Sequence, residues 1–378
     1  TDAYRIVTPN KFRDTSAWYH LVFALDTTQG TESNRLKVYV NNERVYHDGS
    51  SDIYDQTITQ NSYTRCNGTG NSSENWNQIG WFYTGNYVFA GYIAEVNFVD
   101  GLQLSPTDVA EYDEDSGIWK PKQYTGAYGT NGYYLKFDDA SDLGADSSGS
   151  SHDMNSIGNI TASDQATDSP TNSFCTLNPN VNFKYTTNGI TEGATTFGDN
   201  TGGGFGGAFG TMPVTKGKWY WEVKLTQQSL HYIGISAVDD GDNVLSTSDP
   251  HQVNSSFVFN INNARIEYID GGSVSAGSTD AFTDFHSVGD VISIALNMDN
   301  NQISMYGNGT LQAGVANTSI FDAANKMVVP FHATINDECQ YNFGGYSVWT
   351  PSSAATDANG YGTFEYAPPS GYYALCTK

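Results

Sequence analysis

The amino-acid sequence predicts an all-β protein in which two β-sandwich domains follow one another along the chain. Its 378 residues suffice for two or three domains, and they include 39 glycines, 25 tyrosines and 19 phenylalanines but few charged side chains. Short runs of alternating apolar and polar residues recur in both halves, as half-buried strands require, whereas no long segment has a helical period. Two layers of such strands bury their apolar faces against each other and form a sandwich.

Residues 1–143 are predicted to form the first sandwich. An Asn41-Asn42 turn joins two of its strands into a hairpin. The pattern Ser105-Pro-Thr-Asp108 predicts one short helix over 106–113, with Ser105 as the N-cap and Pro106 at the first helical position. The predicted strands are Ala17–Asp26, Arg35–Val40, Glu43–Tyr46, Phe89–Val99 and Tyr133–Phe137, the last of which closes the domain.

Residues 144–174 are predicted to connect the two domains. This stretch is rich in serine, aspartate, threonine and glycine, and it has too few apolar residues to bury a core of its own. It is therefore either an extended linker or a strap that lies over a domain.

Residues 175–378 are predicted to form the second sandwich around the strand Lys216–Thr226. In this strand Trp219, Trp221, Val223 and Leu225 are expected to point inward, and Lys218, Tyr220, Glu222 and Lys224 are expected to point outward. Each large inward side chain stabilises the fold by about 1.5–3 kcal/mol once it is buried. The other predicted strands are Tyr232–Val238, Val291–Met298, Gln302–Tyr306, Val328–Ile335 and Tyr372–Cys376.

The charge balance argues against two classes of partner. With a net charge of −24 and 17 basic residues, the chain lacks the clusters of lysine and arginine that bind nucleic-acid phosphates or an anionic membrane surface. The sequence contains no run of 18 apolar residues, so no membrane insertion is predicted. The cysteines Cys339 and Cys376 are expected to be buried thiols, and a disulfide between Cys175 and Cys376 is the alternative for that pair.

No catalytic residue is predicted. The chain has no HExxH or GxSxG motif, so neither a zinc site nor a serine nucleophile is expected. The acidic run Glu111–Asp115 is the nearest thing to a pair of hydrolase carboxylates, but it lies beside the predicted helix and not on a strand that lines a cleft. The sequence therefore predicts a protein that is not an enzyme.

One acidic loop is a candidate calcium site. Asp138, Asp139, Asp142 and Asp146 follow the Tyr133–Phe137 strand at short spacing, and Ca²⁺ prefers several oxygen ligands. The alternative is that these aspartates form turns through their own side chains. No other cofactor is expected.

Five aromatic residues are candidates for binding a ligand, because exposed aromatic faces stack on sugar rings. They are Trp76, Trp81 and Tyr83 in the first domain and Tyr346 and Trp349 in the second. In each group at least one aromatic is expected to belong to the core.

The second domain resembles a SPRY domain. The resemblance lies in KGKWYWEV, then HYIGIS, then VGDVISIALNMDNNQISMYGNGTLQ, then VVPFHATINDECQYNFGG, and it extends over about residues 175–378. SPRY domains are concanavalin-like sandwiches that recognise partners through their loops, so the resemblance implies binding and not catalysis.

The first domain resembles a laminin-G-like, concanavalin-like jelly-roll module through WYHLVFALD, RLKVYVNNERV and FAGYIAEVNFVDGLQLSP. That family has several strands before the WYHLV strand, and here only Thr1–Arg13 precede it. The domain is therefore expected to be incomplete at its N-terminal side, either because the chain is a fragment or because the strands come from elsewhere.

The junction SGIWKPKQYTGAYGTNGYYLKF and the serine-rich stretch after it resemble connecting segments in tail-fibre and other virion proteins of tailed bacteriophages. The resemblance implies a virion protein that binds other virion proteins or a host-surface glycan, and that forms a homo-oligomer, with a trimer expected first. Three alternatives stay open: a capsid decoration protein, a glycan-degrading tail enzyme and a secreted cellular lectin.

Overall fold

The computed structural model describes residues 11–12, 17–46, 58–62, 79–82, 87–89, 91–114, 117–154, 160–182, 189–199, 205–238, 256–270, 273–276, 282, 287–316, 327–335 and 337–378. The chain divides into two compact units, Thr1–Gln165 and Ala166–Lys378. The boundary falls inside the stretch predicted to be a linker, so residues 144–165 are part of the first unit and residues 166–174 are part of the second.

The described part of the first unit consists of short strands, one helix and two single-turn 3₁₀ helices. The strands form a three-stranded sheet of β1–β3 and three two-stranded pairs, β4 with β5, β6 with β9, and β7 with β8. The elements are β1 (Leu21–Leu25), β2 (Leu36–Val40), β3 (Glu43–Val45), β4 (Trp81–Phe82), β5 (Tyr87–Val88), β6 (Val96–Phe98), α1 (Pro106–Val109), β7 (Ala110–Tyr112), β8 (Trp119–Pro121), β9 (Tyr133–Leu135) and the 3₁₀ turns Glu32–Asn34 and Ala162–Asp164.

The predicted hairpin at Asn41-Asn42 is present. β1 pairs antiparallel with β2, and β2 pairs antiparallel with β3. Asn41 and Asn42 have φ angles of 48° and 71°, the left-handed conformation that a two-residue turn between twisted strands requires. The hairpin is thus fixed by asparagine, which occupies this backbone region at lower cost than most residues.

The predicted helix over 106–113 is shorter in the structure. Helix α1 ends at Val109, and the chain continues directly into strand β7. The predicted start is correct, because the Asp108 carboxylate accepts the backbone N–H of Ser105 at 2.7 Å, as in a capping box. The residues that follow pair with β8, and this pairing takes the backbone groups that a longer helix would have used.

The second unit contains two large sheets. One has the strand order β10-β13-β22-β15-β16-β17-β18, and the other has the order β11-β12-β23-β14-β19-β20-β21, with β24 beside β14. The strands are β10 (Leu177–Asn182), β11 (Ile190–Thr191), β12 (Thr196–Asp199), β13 (Gly206–Gly210), β14 (Lys218–Leu225), β15 (Leu230–Ala237), β16 (Ser256–Asn260), β17 (Arg265–Asp270), β18 (Ser273–Ala276), β19 (Val291–Asn297), β20 (Gln302–Gly307), β21 (Thr310–Ala316), β22 (Val328–Ile335), β23 (Asp337–Asn342) and β24 (Tyr373–Ala374).

The main core lies between these two sheets. Trp221, Val223 and Leu225 of β14 are fully buried there together with Ile233 of β15 and Phe257 of β16. The all-β fold class is therefore confirmed, and strand β14 is in the central position that its two tryptophans predict.

The prediction that the second face of β14 points to solvent is wrong. Tyr220 and Glu222 are buried, with exposed fractions of 2% and 0%. Tyr220 packs in a separate cluster with Phe364 and Ala374 from the C-terminal segment, and β24 runs parallel to the start of β14. The C-terminal segment covers this face, so the eight-stranded sheet is buried on both sides at its centre.

The possible disulfide between Cys175 and Cys376 is not formed. Both cysteines are free and buried. Cys175 donates its backbone N–H to the carbonyl of Leu375 at 2.8 Å, so the two ends of the unit do lie side by side. The thiols nevertheless occupy different clusters, Cys175 between the two sheets and Cys376 in the cluster that the C-terminal segment forms with Tyr220.

Candidate functional site

The predicted ligand residues of the second unit lie in a turn directly after β23. Trp349 is only 7% exposed, and Tyr346 is half-buried. Ser347 Oγ donates to the carbonyl of Trp349 at 2.6 Å and tightens the turn. The ammonium of Lys224 lies 5.7 Å from the centroid of the Trp349 ring, close enough for a cation–π interaction.

This turn has one exposed apolar side chain. Val348 is 37% exposed at its tip, and Trp349 anchors the turn from below. Of the two predicted residues, Tyr346 is half-buried and Trp349 is buried, and their assignment as ligand residues stays a prediction.

The aromatic residues predicted in the first unit fall largely outside the described residues. Trp76 and Tyr83 are not described, and Trp81 is described only as part of strand β4, which pairs with β5. Their assignment as ligand residues stays a prediction.

The aspartates of the predicted calcium loop form turns. Asp139 Oδ1 accepts the backbone N–H and the hydroxyl of Ser141 at 2.9 and 2.6 Å, and Asp142 Oδ1 accepts the N–H of Gly144 at 3.1 Å. Asp138 is exposed. This arrangement is the turn alternative given above, and the calcium site stays a prediction.

Asp146 holds the loop against β9. Its carboxylate accepts the backbone N–H groups of Tyr134, Ser148 and His152 and the hydroxyl of Ser148, at 2.8–3.0 Å. Partial burial by itself would raise the pKa of Asp146, but these four hydrogen bonds outweigh it and lower the pKa to about 2. All four bonds favour the ionised form.

The described acids of the run near 111 lie on or next to strand β7. Glu111 is exposed on β7, and Asp113 forms an ion pair with Lys120 at 2.8 Å. Asp115 lies outside the described residues. Glu111 is therefore a surface residue of the β7–β8 hairpin, and Asp113 is an ion-pair partner within it.

Glu222 is a buried carboxyl group that was predicted to lie on the outward face of β14. Its Oε2 accepts the backbone N–H of Glu365 and the Nδ2 of Asn342, at 2.8 and 3.1 Å. Its Oε1 accepts the backbone N–H of Tyr366 and the hydroxyl of Tyr220, at 2.8 and 3.1 Å. Burial raises the pKa of Glu222 to about 7, although the hydrogen bonds from Glu365, Tyr366 and Tyr220 oppose the shift.

Four further polar side chains form a chain of contacts inside the sandwich, and the sequence reasoning missed them as a group. We call them the interior relay: Asp337, His231, His332 and Cys339. His231 Nε2 lies 2.7 Å from Asp337 Oδ2, His231 Nδ1 lies 3.1 Å from His332 Nε2, and His332 Nδ1 lies 3.2 Å from Cys339 Sγ. All four are buried, with exposed fractions of 0–2%.

The relay contains donor types that bind metals, but it is extended and does not surround one point. Asp337 contacts His231 Nε2, and Cys339 contacts His332 Nδ1. The two histidines contact each other through His231 Nδ1 and His332 Nε2. Across the described residues, no three such side chains are placed to hold a metal ion together.

The two packed sheets define the second unit as a β-sandwich. Residues 218–346 match the SPRY domain family, so the chain contains a SPRY domain, as the strand order predicted. SPRY domains are typically protein-interaction modules. No curated protein matches the chain.

Among solved structures, the SPRY domain of human HERC1 is similar at 16% identity, with 44% of this chain and 96% of that chain covered and a TM-score of 0.33. The PSpry domain of TRIM65 is similar at 10% identity, with 47% and 90% covered and a TM-score of 0.33. The assignment of the domain rests on the family match. In the described part of the chain, no helix has the length and apolar character needed to span a membrane.

Proposed function

We propose that this chain is a non-enzymatic binding protein whose SPRY domain presents a rigid surface to a protein partner. The observation that carries the proposal is the match of residues 218–346 to a family of interaction modules. The two-sheet core supports it, because a rigid scaffold lowers the entropy lost when its surface loops bind.

The placement of the reactive side chains supports a non-enzymatic role. A nucleophile or general base must reach its substrate. Cys339 and His332 are each 0% exposed, and burial raises the pKa of the Cys339 thiol well above its usual value. A neutral thiol in the interior is a poor nucleophile.

We further propose that the protein is a component of a tailed-bacteriophage virion, in a fibre or appendage. The support is the resemblance of the junction near residues 116–137 to virion connecting segments, together with the resemblance of residues 1–143 to a laminin-G-like module. In this proposal the partners are other virion proteins or a host-surface glycan. Assembly as a homo-oligomer, first a trimer, would raise the apparent affinity by about 10²–10⁴-fold.

Labelling of intact particles tests the virion assignment. Antibodies against the chain, seen by electron microscopy on phage particles that encode it, are expected to mark the tail appendages. Marking of the capsid surface would favour a decoration protein instead, and purified particles that contain none of the chain would overturn the assignment.

Binding and hydrolysis of host polysaccharide are tested in one experiment. The full chain is incubated with purified polysaccharide, and both retained protein and released reducing sugar are measured. Retention without release supports glycan binding, whereas steady release would establish the glycan-degrading alternative. If the protein is not retained and no sugar is released, the glycan is removed from the proposal and protein partners remain.

Variants of the Tyr346–Trp349 turn locate the surface. Tyr346→Ala and Val348→Ser change the half-buried and exposed positions of the turn without removing the buried Trp349. Both are expected to weaken retention on the partner by at least about tenfold, or about 1.4 kcal/mol. Leu311→Ser, at another exposed apolar residue on β21 (56% exposed), serves as the control and should leave retention unchanged.

A further inference from the structure

Strand β1 of the first unit is an open edge of its sheet. It pairs with β2 along its whole length, and within the described residues no strand lies against its other side. Just after β1, the N–H of Asp26 donates to the carbonyl of Arg35 at 2.7 Å. Because the pointing direction alternates along a strand, the backbone groups of Leu21, Phe23 and Leu25 point away from β2.

The side chains on this edge are apolar and exposed. Phe23 is 68% exposed, the highest value among the large apolar side chains of the described residues, and Leu21 is 48% exposed. Val40 and Val45 lie on the same face of the sheet and line a cleft of about 380 Å³. Contiguous exposed apolar surface of this kind marks a site of contact with another molecule.

Strand β1 lacks the features that protect an edge from pairing. Charged residues, proline and bulges commonly block such edges. The opposite edge of the same sheet, β3, carries Glu43 and Arg44, and the edge strand β21 has a shift of register against β20. Strand β1 consists of five uncharged residues, LVFAL, and pairs with β2 without a shift. It is therefore suited to accept a further strand.

The sequence of β1 is complementary to a second copy of itself. When Phe23 is placed opposite Phe23 of the second copy in an antiparallel pair, Leu21 lies opposite Leu25, and Val22 lies opposite Ala24. Each outward residue then faces another outward residue. Every outward N–H and C=O of the strand finds a partner in this register, because two residues that face each other in this way exchange both of their hydrogen bonds.

The charges at the ends of β1 favour the same register, because it places His20 opposite Asp26 of the second copy. Trp119 Nε1 donates to His20 Nδ1 at 3.0 Å, so neutral His20 carries its proton on Nε2 and can donate it. Burial lowers the pKa of His20, which keeps the ring neutral near pH 7. Hydrogen bonds from Gln29 and Thr28 lower the pKa of Asp26, which keeps it ionised as an acceptor.

We propose that β1 is a self-association site, at which two copies of the chain pair antiparallel about Phe23 and join their three-stranded sheets into one sheet. With a net charge of −24, two copies that meet elsewhere tend to set acids against acids, whereas this register opposes no like charges. The contact is two-fold symmetric, so it produces assemblies with an even number of chains. That number is two if the contact acts alone, and six if the trimer proposed above also forms.

Single cysteines in the full chain test the register. Facing residues of such a pair have Cα atoms about 5.5 Å apart, which is within the span of a disulfide. Phe23→Cys is therefore expected to form a disulfide-linked dimer on mild oxidation, identified by mass spectrometry of the linked peptides. Leu21→Cys is the matched control, because position 21 of the second copy lies about four residues further along the strand, about 14 Å away.

A mixture of two variants completes the register test. Leu21→Cys and Leu25→Cys together are expected to form mixed dimers, because these positions face each other. No cross-link in Phe23→Cys, or equally efficient cross-links of Phe23→Cys and of Leu21→Cys with itself, would overturn the proposal. The native cysteines are present in every variant, so the wild type measures their background.

Sedimentation equilibrium of the full chain measures the strength of the contact. Phe23→Lys sets two ammonium groups against each other, and it is expected to raise the dissociation constant by at least about tenfold, or about 1.4 kcal/mol. Leu311→Lys adds the same charge at an exposed apolar residue of β21 (56% exposed) and should change nothing.

Two results of this measurement would overturn the proposal: a wild type that stays monomeric at every concentration, and a trimer whose mass Phe23→Lys does not change. Neither result affects the virion assignment, which the labelling of particles tests separately. If Phe23→Lys does not fold, the wild-type mass and the cysteine variants decide.

Discussion

The carboxylate of Glu222 accepts the backbone N–H of Glu365 at 2.8 Å, although the two residues are 143 positions apart. The contact fixes the C-terminal segment over the outer face of β14. Because Asn342 Nδ2 donates both to Glu222 and to the carbonyl of Thr363, the same side chain also ties β23 to this segment. Glu222 is thus a structural anchor in the interior.

Glu222→Ala is expected to destabilise the SPRY domain by about 2–5 kcal/mol, because four donors lose their acceptor in a buried site. Urea unfolding monitored by tryptophan fluorescence measures this. Glu222→Gln keeps the shape but turns an amide donor toward the N–H groups, so its loss should be smaller. A loss below about 0.5 kcal/mol for the alanine variant would show that the anchor is not needed.

The raised pKa of Glu222 predicts a specific pH dependence. The folded state holds this proton up to about pH 7, whereas the unfolded state releases it near its usual pKa. The contribution is therefore present at low pH and is lost as the pH rises to about 7. The difference in unfolding free energy between wild type and Glu222→Gln should decrease over this range, and a rising difference would contradict the assignment.

Trp221→Ala is expected to destabilise the domain by about 3–5 kcal/mol, because the large side chain is 1% exposed and its loss leaves a cavity between the sheets. Leu311→Ala is the control, since Leu311 is 56% exposed and its truncation should change stability by no more than about 0.5 kcal/mol. The midpoint and slope of urea unfolding test both. Equal effects would mean that β14 is not at the centre of the core.

Asp146→Asn is expected to loosen the loop beside β9, because an amide cannot accept all four hydrogen bonds. Hydrogen exchange at Tyr134, Ser148 and His152 should become faster by about tenfold or more. In the wild type, the contribution of Asp146 is present at neutral pH and is lost as the pH falls toward its folded pKa of about 2. Unchanged exchange would show that the four bonds do not hold the loop.

The same variant tests the calcium prediction. If the loop binds Ca²⁺, the melting temperature of the wild type rises on addition of calcium chloride and that of Asp146→Asn does not. An unchanged wild-type melting temperature would leave the turns as the only role of these aspartates.

The order of strands in the SPRY domain was predictable because period-two runs are a local property of the sequence. Val328–Ile335 was predicted with the bounds that the structure shows. The helix after Ser105 was predicted to continue to residue 113, because its start signal is local, whereas its end is set by pairing with β8.

The buried polar groups were not predictable in the same way. Alternation along β14 placed Glu222 on the polar face, but the residues that cover that face lie in a C-terminal segment with little strand pattern. The relay likewise combines His231 with residues about a hundred positions later, and no motif spacing connects them. A histidine within an otherwise apolar strand, as at His332, was the only local signal.

The chain enters and leaves the sandwich of the second unit at neighbouring positions. Phe174 and Cys376 form an antiparallel bridge, and Thr377 donates its backbone N–H to the carbonyl of Ser173 at 3.0 Å. A peptide that joined these two positions would need to be only a few residues long. The domain could therefore be re-cut at an outer loop, or transplanted into a surface loop of an unrelated host protein, without its sheets having to change their order.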